Sequence, residues 1–131
     1  MKAKEEHIKF WLDQAEDDWE AVYTLFNGKK YLQSLFFAHL VIEKICKGLW
    51  IQHNQSNIPP KTHNLNFLMS QTQLKLSDKQ NEFLLNLNRF QLEGRYPDYI
   101  SNMQKICTKE FTYEMITRTK EIKEWLQENM Q

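Results

Sequence analysis

One stretch, from Tyr31 to His53 (YLQSLFFAHLVIEKICKGLWIQH), limits the possible folds more than any other part of the chain. Side chains on one helical face recur in it at alternating spacings of three and four: Leu32, Leu35, His39, Ile42, Cys46, Leu49 and His53. A second apolar row lies beside this face, so only a narrow sector is polar: Gln33, Glu43, Lys44 and Lys47. A helix this apolar needs neighbours on several sides. Because charged residues interrupt the apolar run well short of about twenty residues, the stretch does not read as a membrane span. It predicts the central helix of a soluble bundle.

The rest of the composition agrees with a small helical protein. The 131 residues include only three glycines and three prolines, which favours long regular elements in one domain spanning 1–131. The formal net charge is zero, so no overall field draws the chain to nucleic acid or membrane. Two cysteines are too few for a disulfide framework, and Cys46 on the apolar face is predicted to be a buried thiol. The charged start MKAKEEHIKF does not resemble a signal peptide, so we expect a cytoplasmic protein.

Periodicity and stop signals predict an all-α fold, an antiparallel up-and-down bundle of four to five helices. The first helix is expected over Lys4–Phe26, and Asn27-Gly28 is a good stop because both residues tolerate the left-handed conformation that ends a helix. The short link Lys29-Lys30 makes this helix the antiparallel neighbour of the central one.

The second half of the chain contains three further predicted helices. Thr62 is expected to cap a short third helix after the Pro59-Pro60 loop, with Leu65, Leu68 and Met69 facing inward. Ser77 and Gln80 form a capping-box pattern that opens a fourth helix, which continues to about Leu92. Between Gly94 and Thr108 we expect an ordered connection with at most one helical turn, because Pro97 interrupts a helix. Thr108 should cap the last helix, which runs to about Asn129.

Several site patterns are absent from the sequence. It has no glycine-rich phosphate loop, no paired-cysteine zinc site and no His-Glu-x-x-His motif. His39 and His53 share a face, but four helical turns separate them by roughly 21 Å, too far to bind one ion. No metal and no cofactor are therefore predicted.

Four fragments resemble the HEPN domain family of small prokaryotic helical proteins, in their order and their spacing. They are the start of the first helix from Trp11 to Trp19, AHLVIEKICKGL (38–49), THNLNFL (62–68) and GRYPDY (94–99). The Glu-Lys-x-x-Lys set within an apolar helix, followed by Thr-His-x-Leu-x-x-Leu, is the most specific of them. The resemblance implies a bundle of four or five helices that is commonly dimeric. It also implies a gene that is often paired with a minimal nucleotidyltransferase, as in toxin–antitoxin systems.

The aromatic content independently predicts association. Apolar side chains nearly encircle the central helix, and four tryptophans and eight phenylalanines exceed what one small bundle easily hides. We therefore expect a homodimer through helix faces.

The chain departs from the pattern of the family's active ribonucleases, which carry an arginine followed after four to six residues by a histidine. The corresponding positions after Arg95 are Ile100, Ser101 and Asn102, and neither Arg89 nor Arg118 is followed by histidine at that spacing. An asparagine can form hydrogen bonds but cannot transfer a proton near neutrality. The sequence thus predicts no metal-independent ribonuclease activity, and the chain is expected not to be an enzyme.

The candidate ligand-binding residues, for a nucleotide or RNA phosphate, are Lys44, Lys47, His63, Arg95 and Tyr96. Lys44 to Ser77 contains no carboxylate, so this segment is locally positive. Each residue also has a structural interpretation. Lys47 can form an intrahelical ion pair with Glu43, His63 can satisfy backbone groups, and Arg95 can cap the end of a helix. His39 is predicted to be a hydrogen-bonded core histidine.

Two functions stay open at this point. The first is a binding subunit for a nucleotide, RNA or a partner protein, within a nucleotidyltransferase-associated two-component system of the kind that the resemblance implies. The alternative is a divergent RNase toxin in which Arg95 acts with Asn102, Tyr99 or His63.

Overall fold

The computed structural model describes residues 3–92 and 96–130, apart from the side chain of Leu92. Within these ranges the chain is helical, with no strand, which confirms the predicted all-α fold. The described helices are α1 (Lys4–Asn27), α2 (Tyr31–His53), α3 (Leu65–Ser70), α4 (Asp78–Leu92), α5 (Pro97–Ile106) and α6 (Lys109–Glu128).

The predicted central helix occupies the middle of the bundle. α2 packs most extensively on α1 and also contacts α3, α4, α5 and α6. Its apolar residues lie in the core, where Leu35, Ile42, Ile45 and Leu49 have no exposed surface. Cys46 is buried as predicted, and this burial raises the pKa of its thiol.

The hairpin of α1 and α2 is closed by backbone and side-chain hydrogen bonds. The Lys30 amide donates to the Leu25 carbonyl at 2.8 Å, and the Ser34 hydroxyl donates to the Val22 carbonyl at 2.8 Å. The left-handed residue of this turn is Lys29, with φ 63°, whereas Gly28 has φ −83°. The predicted stop is therefore in the right place, but the left-handed conformation falls on Lys29 rather than on Asn27 or Gly28.

At the opposite end of the hairpin, Lys4 holds the C-terminus of α2. Its Nζ donates to the carbonyl oxygens of Ile51 and Asn54, both at 2.9 Å. The last carbonyls of a helix lack partners within the helix, and a cation there is favourable. The start of α1 thus closes the end of α2.

The second half of the chain confirms two predicted helix starts and corrects two other predictions. Ser77 and Gln80 exchange the two hydrogen bonds of a capping box, and the Thr108 side chain accepts from the Phe111 amide. α3 is capped by Asn64, not Thr62, because the Asn64 side chain accepts from the Phe67 amide.

The connection after α4 also differs from the prediction. Pro97 is the first residue of the ten-residue helix α5, much longer than one turn. A proline is compatible with the first position of a helix because the amide at that position has no partner within the helix.

Candidate functional site

Glu43, near the middle of α2, binds two cationic or ionisable side chains with its two oxygens. Lys47 Nζ donates to Oε2 at 3.0 Å, and His63 Nδ1 donates to Oε1 at 2.7 Å. The Glu43 side chain is only 5 % exposed, whereas that of His63 is 54 % exposed. The carboxylate of this buried ion pair therefore also contacts a histidine at the surface. We call these three residues, Lys47, Glu43 and His63, the Glu43 cluster.

Lys47 is fixed from two sides. Besides its bond to Glu43, its Nζ lies 5.2 Å from the centre of the Trp11 ring of α1, a cation–π distance. Although they belong to the polar sector of α2, Glu43 and Lys47 are both buried. Their burial is possible because α1 supplies the Trp11 ring and the loop before α3 supplies His63.

His39 anchors the loop that carries His63. The His39 side chain is fully buried, and its Nε2 donates to the His63 carbonyl at 2.9 Å and lies 3.2 Å from Asn88 Oδ1. Asn88 Oδ1 also accepts from the Leu65 amide at the start of α3. The prediction of a hydrogen-bonded core histidine is confirmed. Its Nε2 carries the hydrogen, since both groups facing it are acceptors.

The environment of His39 makes stability depend on pH. Burial lowers the pKa of His39, and this effect exceeds the opposing influence of nearby Glu43. The unfolded state therefore binds a proton more readily than the folded state. The contribution of neutral His39 to the free energy of unfolding is thus complete above about pH 6.5 and is lost as the pH falls through the folded-state pKa.

Urea denaturation between pH 7.5 and 5 should show a smaller loss of stability on acidification in His39→Gln than in wild type. His7→Gln is the matched control and should follow wild type; equal pH slopes in wild type and His39→Gln would contradict the assignment.

Two of the candidate lysines have different surroundings. Lys44 Nζ lies 2.6 Å from Asp18 Oδ2 of α1, with both side chains mostly buried. Lys44 is therefore paired with α1, while Lys47 joins the Glu43 cluster. The structure brings Lys47 and His63 together on one carboxylate and gives Lys44 a separate partner.

Arg95 and Tyr96 follow α4. Arg95 lies outside the described residues, so its place beside His63 in a ligand site stays a prediction. Tyr96 precedes α5 as its N-cap and is exposed. Tyr99 and Asn102, the alternative partners of Arg95, lie on α5 and line a groove of about 400 Å³ together with Arg89 of α4.

Sequence reasoning missed two residues that organise this site. Glu43 was interpreted as half of a helical ion pair, although it also binds His63. Asn88 was not singled out at all, and it joins His39 to the start of α3. One signal for Glu43 was available in the sequence. It lies with Lys47 in a helix that needs neighbours on nearly every side, so its carboxylate was placed to contact another element as well. No comparable pattern marks Asn88.

Two other kinds of feature are absent from the part of the chain that the structure describes. Among residues 3–92 and 96–130, no group of three or more histidine, cysteine or acidic side chains could hold a metal ion. No helix in these ranges combines the length and apolar character needed to cross a membrane.

Comparisons with known proteins agree with the resemblance seen in the sequence. The model of the HEPN domain family matches residues 8–129, nearly the whole chain. No curated protein and no solved structure gives a significant match. With a family model covering all six described helices almost completely, the chain belongs to the HEPN domain family.

Proposed function

We propose that this chain is a nucleotide- or RNA-binding subunit that contacts phosphate through His63. The observation that supports this is the Glu43 cluster, in which a buried carboxylate fixes Nδ1 of a histidine whose side chain is half exposed. A fixed ring presents its second nitrogen to a ligand at a smaller loss of conformational freedom than a mobile one. His63 also lies in a segment, 44–77, that contains cations and no carboxylate.

Arg95 and Tyr96 complete the proposed site. An arginine can bind a phosphate with two parallel hydrogen bonds, and the exposed ring of Tyr96 can stack on a base. Of the two candidate lysines, Lys47 acts in this proposal through Glu43 and not as a direct phosphate contact, because its Nζ is already bound to that carboxylate. Lys44 is paired with Asp18, so in this proposal it makes no direct phosphate contact and adds no net charge.

The biological setting belongs to the same proposal. We further propose a partner protein of the nucleotidyltransferase type, within a toxin–antitoxin-like pair, which is the setting that the resemblance in the sequence implies. The homodimer and the cytoplasmic location also remain predictions.

Titration of ATP and of a short single-stranded RNA, at low and at moderate salt, tests the binding function. Wild type should bind at low salt and lose affinity as salt increases, because phosphate contacts release counterions. His63→Ala and Arg95→Ala should each weaken binding about tenfold, which corresponds to one charge-assisted hydrogen bond.

Matched controls make this test specific. His7→Ala and Arg118→Ala remove the same side-chain types from α1 and α6 and should bind like wild type. Absence of binding by wild type at low salt would exclude the function. Equal affinities of wild type, His63→Ala and Arg95→Ala would exclude the site.

The divergent RNase is the second candidate, and one observation favours it. A carboxylate behind one imidazole nitrogen is the arrangement that orients a histidine to accept a proton at the other. Expression in a bacterial host separates the two functions. A toxin arrests growth, and Arg95→Ala and His63→Ala relieve the arrest, whereas a binding subunit leaves growth unchanged.

A further inference from the structure

The Glu43 cluster determines which nitrogen of His63 carries a hydrogen. Lys47 Nζ donates to Oε2, and the carboxylate of this ion pair has no hydrogen of its own, so both of its oxygens are acceptors. At 2.7 Å from Oε1, His63 Nδ1 must therefore be the donor. A neutral imidazole has a single N–H, so in neutral His63 the other nitrogen, Nε2, presents a lone pair.

His63 is also held at its backbone. Its carbonyl accepts from the buried His39 ring, and the His39 ring lies against Asn88 of α4. Exchanging the two His63 nitrogens by a ring flip would place a carbon, in place of Nδ1–H, near the carboxylate. The contact with Glu43 of α2 thus fixes the tautomer of the His63 ring. The bond from His39 to the His63 carbonyl fixes the backbone of the same residue.

The consequence for an anion follows from charge. With His63 neutral, Lys47 and Glu43 cancel, and a lone pair faces the ligand. With a second proton on His63, the cluster carries one net positive charge, and Nε2–H can donate to a phosphate oxygen. Histidine side chains generally gain this proton between about pH 8 and 5.

We propose that phosphate binding at His63 is linked to uptake of one proton, because Glu43 permits Nε2 to donate only when the ring is doubly protonated. This inference rests on the proposed phosphate site and adds its regulation by pH. The titratable and charged groups near His63 on α2 are Glu43, Lys47 and His39. From α4, the neutral amide of Asn88 lies against the His39 ring. Lys61 lies two residues away in its own segment.

The experiment is calorimetric titration of a single-stranded RNA without terminal phosphates, whose diesters do not titrate in this range, from pH 8 to pH 5. Buffers with different ionisation enthalpies report the protons taken up on binding. Wild type should take up a proton on binding, and the uptake should approach one wherever the ring of free His63 is neutral. Its affinity should rise there by up to about tenfold per pH unit on acidification.

Two variants locate the proton. In His63→Gln, an amide N–H donates without protonation, so binding should persist with little proton uptake. In Glu43→Gln, the amide group can donate to Nδ1 and leave the hydrogen on Nε2, so affinity at pH 8 should rise and the proton uptake should fall. His7→Gln is the matched control and should retain the uptake seen in wild type.

The outcomes distinguish this inference from the proposed function. Binding by wild type that is lost in His63→Ala but does not change with pH would overturn the proton linkage and leave the phosphate site standing. Proton uptake that persists in His63→Gln would also overturn the linkage. Absence of binding at every pH would overturn both.

Discussion

Replacing Glu43 by alanine should lower the free energy of unfolding by about 3–5 kcal/mol, because it leaves the Lys47 ammonium buried without a carboxylate. The loss also removes the partner of His63 and so loosens the loop before α3. Urea denaturation at pH 7 measures the change.

The chain provides a matched control for this prediction. Lys9 and Asp13 form an ion pair with the same spacing of four residues, but their side chains are 74 % and 62 % exposed. Asp13→Ala should therefore change stability by less than about 1 kcal/mol. The double variant Glu43→Ala, Lys47→Met should recover much of the loss, since no buried charge is then left unpaired. Equal effects of Glu43→Ala and Asp13→Ala would show that the buried pair does not have the assigned role.

The second large effect is expected at Leu49. It is fully buried in α2, so Leu49→Ala should lower the free energy of unfolding by about 2–5 kcal/mol through lost apolar burial and the cavity left behind. Leu85→Ala on α4 makes the same chemical change at a side chain that is 57 % exposed, and should change stability by about 0.5 kcal/mol or less. Denaturation curves of the two variants, compared with wild type, test the central position of α2. A similar loss in both variants would contradict that position.

The helices were predictable where local signals and apolar periodicity agree. α2 begins and ends at the predicted residues because a turn precedes it and a polar, proline-containing segment follows. The start of α3 was misplaced since Thr62 and Asn64 are both good caps, and only the contacts of Asn64 decide between them. Pro97 was interpreted as a break, although a proline serves equally well as a first helical residue.

The site was less predictable because its contacts join distant parts of the chain. The spacing of Glu43 and Lys47 predicts their ion pair, and the structure confirms it. The contacts of Glu43 with His63 and of Lys47 with Trp11 depend on how the loop and α1 pack on α2. No short pattern records such long-range contacts, so the partners that bury the two charges could not be predicted from the sequence.

The bond from Lys4 to the end of α2 has a consequence for how the hairpin opens. The carbonyls of Ile51 and Asn54 receive their cation from a residue at the opposite end of the hairpin sequence, so the Lys4 ammonium reaches them only while α1 is docked. Fraying of the first turn of α1 therefore exposes the last turn of α2 to water at the same moment. The two ends behave as one unit of local unfolding, although the whole of both helices lies between them along the chain.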